Sequence, residues 1–130
     1  MPAITLDHVN IRTARMAETI GFYADLLGLR AGPTPMSDDI TRGAWLHDPD
    51  GRPVIHLSEL KAAGDDGSGA IDHVAFACTA FAETRERLLA HGLPFRENDI
   101  GSIGLKQLFV ADPNGITIEM NFRKEGQAAP

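Results

Sequence analysis

The chain has 130 residues, 43% hydrophobic and 23% charged, enough for one domain with a sizeable core and too apolar for disorder to be the default. Eighteen acidic against twelve basic residues leave a formal charge of −6 with no basic cluster, which excludes the footprint of a nucleic-acid or anionic-membrane binder and points to a small-molecule partner. The opening MPAITLDHVN has no leader character, no apolar run approaches the roughly 18 residues of a membrane span, and the single Cys78 offers no intrachain disulfide, so a cytoplasmic protein is expected.

In chain order, ITLDHVNI (4–11) alternates with strand period, and MAETIGFYADLLG (16–28) reads as a helix. Ile20, Tyr23, Ala24 and Leu27 share one helical stripe, and Gly28 is the C-terminal stop. DPDG at 48–51 is turn chemistry, joining a third strand to the fourth strand that holds PVIHL. KAAGDDGSG, within a divide drawn at 60–70, lacks apolar periodicity and is expected to be a surface linker. IDHVAFAC (71–78) is the next strand, and Cys78 within it is expected to be a buried small hydrophobe. FAETRERLLAHG (81–92) is a second helix anchored by Phe81, Leu88 and Leu89 and stopped at Gly92. DPNG at 112–115 repeats the turn before the last strand, ITIEM, and the tail 123–130 is expected to fray.

These elements are one module written twice. Leu6-Asp7-His8-Val9 recurs as Ile71-Asp72-His73-Val74, Gly28-Leu29 as Gly92-Leu93, and Asp48-Pro49 as Asp112-Pro113, at offsets of 65, 64 and 64. Module 1 spans about 4–59 and module 2 about 71–122, within a single domain 1–130. Each copy reads strand, helix, strand, strand, strand.

Four residues occupy equivalent ends of the repeat: His8 and His73 in the opening strands, His56 and Glu119 in the closing ones. Three histidines and a carboxylate are a metal inventory. Strand parity puts His56 on one face with Val54 and Ser58, and Glu119 with Thr117 and Asn121, while Ile116, Ile118, Met120 and Phe122 face the other way. A polar stripe on an otherwise apolar closing strand points to a cavity lining. Trp45 and Phe109, at matching places in the third strands, are candidates for the same groove, and Asn10, Arg12 and Asn121 for substrate contacts. His47 and His91 have no repeat partner and are expected to be structural or surface residues.

LDHVNIRT followed by IGFYADLLGL, then PVIHL, IDHVAF and QLFVADPNGITIEMNF, resembles the vicinal oxygen chelate superfamily over residues 4–122. That superfamily includes glyoxalase I, methylmalonyl-CoA epimerase, thiol-transferring fosfomycin-resistance proteins, extradiol dioxygenases and bleomycin-binding proteins. The resemblance implies an α+β fold of two tandem βαββ modules forming a curved, cup-shaped mixed sheet with helices on the outer side. It implies one divalent metal ion (Ni, Zn, Mn, Fe or Co), with His8, His73 and Glu119 on ligand positions and His56 on the fourth. It also implies a homodimer.

The number of protein ligands steers the expected chemistry. Four ligands on an octahedral ion leave two positions, suited to a substrate with adjacent oxygens whose enolate the ion stabilises. Isomerase, epimerase or lyase activity is then expected, with Glu119 serving as ligand and base. Three ligands leave room for a catecholate and dioxygen, the extradiol alternative on Fe(II) or Mn(II). That alternative calls on further His and Tyr residues, and the single Tyr23 belongs to an amphipathic helix. Arg12 and Lys106 are the candidates for an anionic substrate group. A metal-free protein that sequesters an antibiotic, like the bleomycin-binding members, is the remaining reading.

Overall fold

The computed structural model describes residues 6–60 and 69–124; most of the linker and tail segments read above, and Ile4 and Thr5, lie outside them. The chain divides into two compact units, each carrying one copy of the repeat. The first contains β1 (Val9–Thr13), α1 (Met16–Leu27), β2 (Arg30–Gly32), β3 (Gly43–His47) and β4 (Pro53–Glu59). The second contains β5 (His73–Cys78), α2 (Phe81–Ala90), β6 (Phe95–Ile100), β7 (Leu105–Ala111) and β8 (Thr117–Arg123). The order strand, helix, strand, strand, strand holds in both, and the fold is α+β with two four-stranded mixed sheets. His8 sits just ahead of β1 rather than inside it.

The sheets run β1-β4-β3-β2 and β5-β8-β7-β6. In each, the opening strand lies parallel beside the closing one, and the other pairs are antiparallel. This arrangement brings the first and last segments of a module side by side, although more than 40 residues separate Asn10 from His56 along the chain.

The repeated turns are built alike. The Asp48 carboxylate accepts from the backbone N–H groups of Asp50 (3.0 Å) and Arg52 (2.9 Å), and that of Asp112 from Asn114 (2.8 Å) and Ile116 (2.9 Å). The turn glycines Gly51 and Gly115 take φ values of 82° and 83°, a left-handed geometry that a Cβ disfavours. The DPxG phrase therefore recurs because the same hairpin is needed twice.

One face of each sheet is apolar and covered by its helix. Ile55 and Leu57 of β4, and Ile118, Met120 and Phe122 of β8, are buried, while alternate residues on both strands are only half-buried. The strand parity expected above is thus observed. The expected helix stripes need correction. Helix α1 buries Met16, Thr19, Phe22, Tyr23 and Leu26, a face that shares only Tyr23 with the stripe drawn through Ile20, Ala24 and Leu27. A threonine can occupy that face because its hydroxyl donates to the Arg15 carbonyl (2.7 Å) and lies 3.2 Å from the Thr13 hydroxyl, so no polar group is left unsatisfied. Helix α2 buries Thr84 and Leu88 and places Phe81 edge-on to Phe122 at 5.3 Å. Leu89, expected as an anchor, is 50% exposed, one residue and about 100° past that narrow face.

Gly28 ends α1 in the left-handed conformation, as its place in the sequence suggests, and its N–H donates to the Ala24 carbonyl. Gly92 adopts a φ of 66° after α2, with His91 as the cap. Cys78, expected to be buried, is half-buried, and that partial burial still pushes its thiol up to about 11, which leaves it in the unreactive protonated form near neutral pH.

Candidate functional site

The open face of each sheet gathers the polar residues singled out by the repeat. In the first unit, the His8 ring donates through Nδ1 to the Asp7 carboxylate at 2.6 Å. Asn10 on β1 pairs in register with His56 on β4, which pairs with Trp45 on β3. Trp45 stacks on the His56 ring, with centroids 4.5 Å apart and planes 20° from parallel, and takes the His8 ring on its edge at 4.7 Å. The two imidazole centroids are 6.3 Å apart. The side-chain amide nitrogen of Asn10 lies 3.1 Å from the His56 carbonyl, 2.9 Å from the Ser58 hydroxyl and 3.1 Å from Nδ1 of His56. Arg12 is exposed on the same face of β1.

The second unit repeats the plan with a carboxylate. The Nδ1–H of His73 donates to Asp72 at 2.8 Å, and its Nε2 stands 3.6 Å from Oε1 of Glu119. The hydrogen bond to Asp72 is the largest effect on His73; burial opposes it, the charges of Glu119 and Asp72 add to it, and the net result is a pKa raised above its ordinary 6.5. Oε2 of Glu119 accepts from the Asn121 amide at 2.9 Å, and the Asn121 carbonyl oxygen accepts from Gln107 at 2.9 Å. Asn98 donates in turn to Gln107 at 3.4 Å. Asn98, Gln107 and Asn121 occupy one row across β6, β7 and β8, so an amide chain crosses the sheet and fixes the rotamer of Glu119. In the neighbouring row, Phe109 pairs with Glu119, and the Arg96 guanidinium lies over the Phe109 ring at 4.3 Å.

Sequence reasoning passed over Asp7, Asp72, Gln107, Asn98 and Arg96 as site residues. The signal for the first two was present, because Asp precedes His in both copies of the repeat. Lys106, a candidate for an anionic substrate group, points away from Glu119. It pairs with Phe122 and lies over the Phe81 ring at 4.8 Å, on the helix side of the sheet by strand parity. His47 donates to the Arg30 carbonyl at 3.2 Å.

Both Asp–His pairs are chemically suited to a divalent ion. A carboxylate on Nδ1 fixes the tautomer that leaves the Nε2 lone pair outward, the usual support of a metal-ligating histidine. In the second unit that nitrogen faces a carboxylate oxygen. Among the described residues no three His, Cys, Asp or Glu side chains are grouped to hold an ion.

The family model described as Glyoxalase/Bleomycin resistance protein/Dioxygenase superfamily matches residues 5–120. The chain belongs to this superfamily. Superfamily structures also share the fold across nearly the full length. A glyoxylase/bleomycin resistance protein/dioxygenase domain from Frankia sp. EAN1pec is 20% identical, with 97% of this chain and 96% of that one covered and a TM-score of 0.71. A glyoxalase/dioxygenase from Nostoc punctiforme is 17% identical, with 93% and 92% covered and a TM-score of 0.76. The genomically encoded fosfomycin resistance protein FosX from Listeria monocytogenes is 13% identical, with 96% of each chain covered and a TM-score of 0.68. Comparison with curated proteins finds no match. Among the described residues, no helix of this superfamily member is long and apolar enough to cross a membrane.

Proposed function

We propose that the chain is a divalent-metal-dependent enzyme acting on a small molecule with adjacent oxygens, by isomerase, epimerase or lyase chemistry. His8, His73 and Glu119 hold the ion, and Glu119 also moves the proton. The observation that carries this reading is the His73–Glu119 pair: an imidazole nitrogen and a carboxylate oxygen 3.6 Å apart on an open face, each held from behind by another polar side chain. A protein that only traps a ligand needs no such pair. Nickel, zinc, manganese, iron and cobalt all accept this donor set. Bound there, the ion supplies Lewis-acid polarisation of the substrate oxygens. Asn121 engages Oε2 of Glu119 and leaves Oε1 toward His73, so the carboxylate has one anchored oxygen and one for coordination or proton uptake. The extradiol alternative loses support from Tyr23, which is fully buried in α1 and far from the role of a substrate contact.

Elemental analysis of protein purified without chelator is expected to find about one divalent ion per chain; protein that is clean and ignores added Ni(II), Zn(II), Mn(II), Fe(II) and Co(II) overturns the proposal. Affinity is expected to depend on pH with a definite sign. Metal binding needs neutral His73, whose pKa is raised, so protons begin to compete above pH 6.5, and below that point affinity falls about tenfold per pH unit for each displaced proton. The metal-free fold responds in the opposite sense. Protonated His73 contributes stability that is full below its unfolded pKa and is lost as pH rises through the raised folded one.

The resemblance to the superfamily also implies an assembly of two chains. We propose the homodimer, as closed two-fold association is the commonest solution for small enzymes. Light scattering at micromolar concentration is expected to give twice the 14.0 kDa chain mass; a monomer at that concentration removes this part of the proposal.

A further inference from the structure

His56 occupies the repeat position of Glu119, yet its surroundings differ in kind from those of the other two site histidines. His8 and His73 each have a carboxylate on Nδ1. A carboxylate only accepts, so Nδ1 carries the hydrogen and Nε2 the lone pair. The Nδ1 of His56 instead faces the amide nitrogen of Asn10 at 3.1 Å. The orientation of that amide is set independently. Its nitrogen lies 3.1 Å from the His56 backbone carbonyl, and turning the amide over would oppose two carbonyl oxygens there. The amide nitrogen has two hydrogens for three neighbours, the His56 carbonyl, the Ser58 hydroxyl and Nδ1, so Nδ1 at most shares one of them; an Nδ1–H would oppose the amide N–H groups at 3.1 Å, and the neutral ring therefore carries its hydrogen on Nε2.

From this we infer that His56 is not a metal ligand but a substrate-facing N–H donor, oriented by Asn10 and by its stack on Trp45. The inference rests on the metal reading above for the word substrate, but the tautomer stands on the hydrogen bonds alone. A metal-ligating Nε2 needs its lone pair, and here that lone pair carries a proton. Three protein ligands would then hold the ion, leaving one position more than the four-ligand count above; the isomerase reading is kept because the fourth repeat-related residue still engages the substrate, offering a hydrogen to an electron-rich oxygen: a carbonyl, carboxylate or enolate oxygen. Trp45 fixes the ring plane, with centroids 4.5 Å apart and a 20° tilt, so the N–H has a defined direction. The two modules explain how this difference arises. Ala75 pairs with Glu119 where Asn10 pairs with His56. A methyl group leaves the carboxylate to His73 and Asn121; an amide claims the imidazole.

The test is a long-range nitrogen–proton NMR correlation on the metal-free full chain, at a pH where the imidazoles are neutral, with His56→Ala used to assign the signals. His56 is expected to show a protonated Nε2 and a lone-pair Nδ1, and His8 and His73 the reverse. A His56 protonated on Nδ1 overturns the inference. Asn10→Asp is expected to reverse the His56 tautomer, since its carboxylate would accept from Nδ1; an unchanged tautomer in a folded Asn10→Asp protein overturns the positioning role of Asn10. Titration with Zn(II) supplies the second arm. His56→Ala is expected to keep its affinity within about threefold of the starting protein, against a loss of more than about 100-fold for His73→Ala. Equal losses in the two variants overturn the inference, whereas a starting protein that takes no metal sinks the proposed function and leaves the tautomer to be decided by the spectrum.

Discussion

His73→Ala and Glu119→Ala are each expected to yield a folded protein that no longer retains a divalent ion. The reasoning is structural. The His73 side chain is 41% exposed, so its removal costs little packing, and substitutions at such positions usually change stability by only about 0.5 kcal/mol. Its contribution to an ion is another matter, because Asp72 holds Nδ1 and leaves the Nε2 lone pair as the proposed donor. Glu119 is more enclosed, at 15% exposure, and its loss also leaves the Asn121 amide without its acceptor. Some destabilisation therefore accompanies that variant, and circular dichroism alongside the metal analysis separates the two effects. Asp72→Asn provides the graded case. It keeps the ring in place but weakens the partner of Nδ1, and loss of such a partner typically lowers metal affinity by about 10–100-fold. Full metal content in folded His73→Ala or Glu119→Ala protein would remove these residues from the site.

The largest expected effect on stability comes from Leu108→Ala. Leu108 sits in the middle of β7, fully buried, and pairs across the sheet with Met120, which is also fully buried. On the other side of β7, its neighbours in sequence, Gln107 and Phe109, belong to the polar face that supports Glu119. Truncation removes buried methyl groups and leaves a cavity, a change that costs about 2–5 kcal/mol in comparable cores, a large share of a typical domain's stability. The repeat shows why the second unit is sensitive there. The equivalent place in the first unit holds the buried Ala44, in a module whose helix supplies Phe22 and Tyr23. Helix α2 buries only Thr84 and Leu88, so the second unit draws its bulk from the strand. Urea unfolding is expected to show a lower midpoint with an unchanged slope; a shift below about 1 kcal/mol would mean that Leu108 does not carry this core.

The repeat, the two hairpins and the alternation of faces are all legible in the sequence. Each depends on local rules. Pro, Asp and Gly set turn geometry within four residues, and strand parity assigns Glu119 and Met120 to opposite faces whatever lies beside them. The pairing of His8 and His73 with equivalent positions followed from the same offsets. The buried face of α1 did not follow, because its sequence offers two apolar stripes. The sheet selects the one containing Thr19, whose hydroxyl finds partners at Arg15 and Thr13.

The roles of the histidines divide in the same way. An Asp directly before His8 and before His73 is visible in the chain, but that its carboxylate turns back onto Nδ1 and fixes the tautomer is seen only in the structure. The environment of His56 is not visible in the chain. Asn10 and Trp45 reach it only because β1 lies parallel against β4 while β3 pairs with β4 from the other side. Residue type says that an imidazole can accept, donate or bind an ion, and neighbours drawn from distant segments choose which nitrogen keeps the proton.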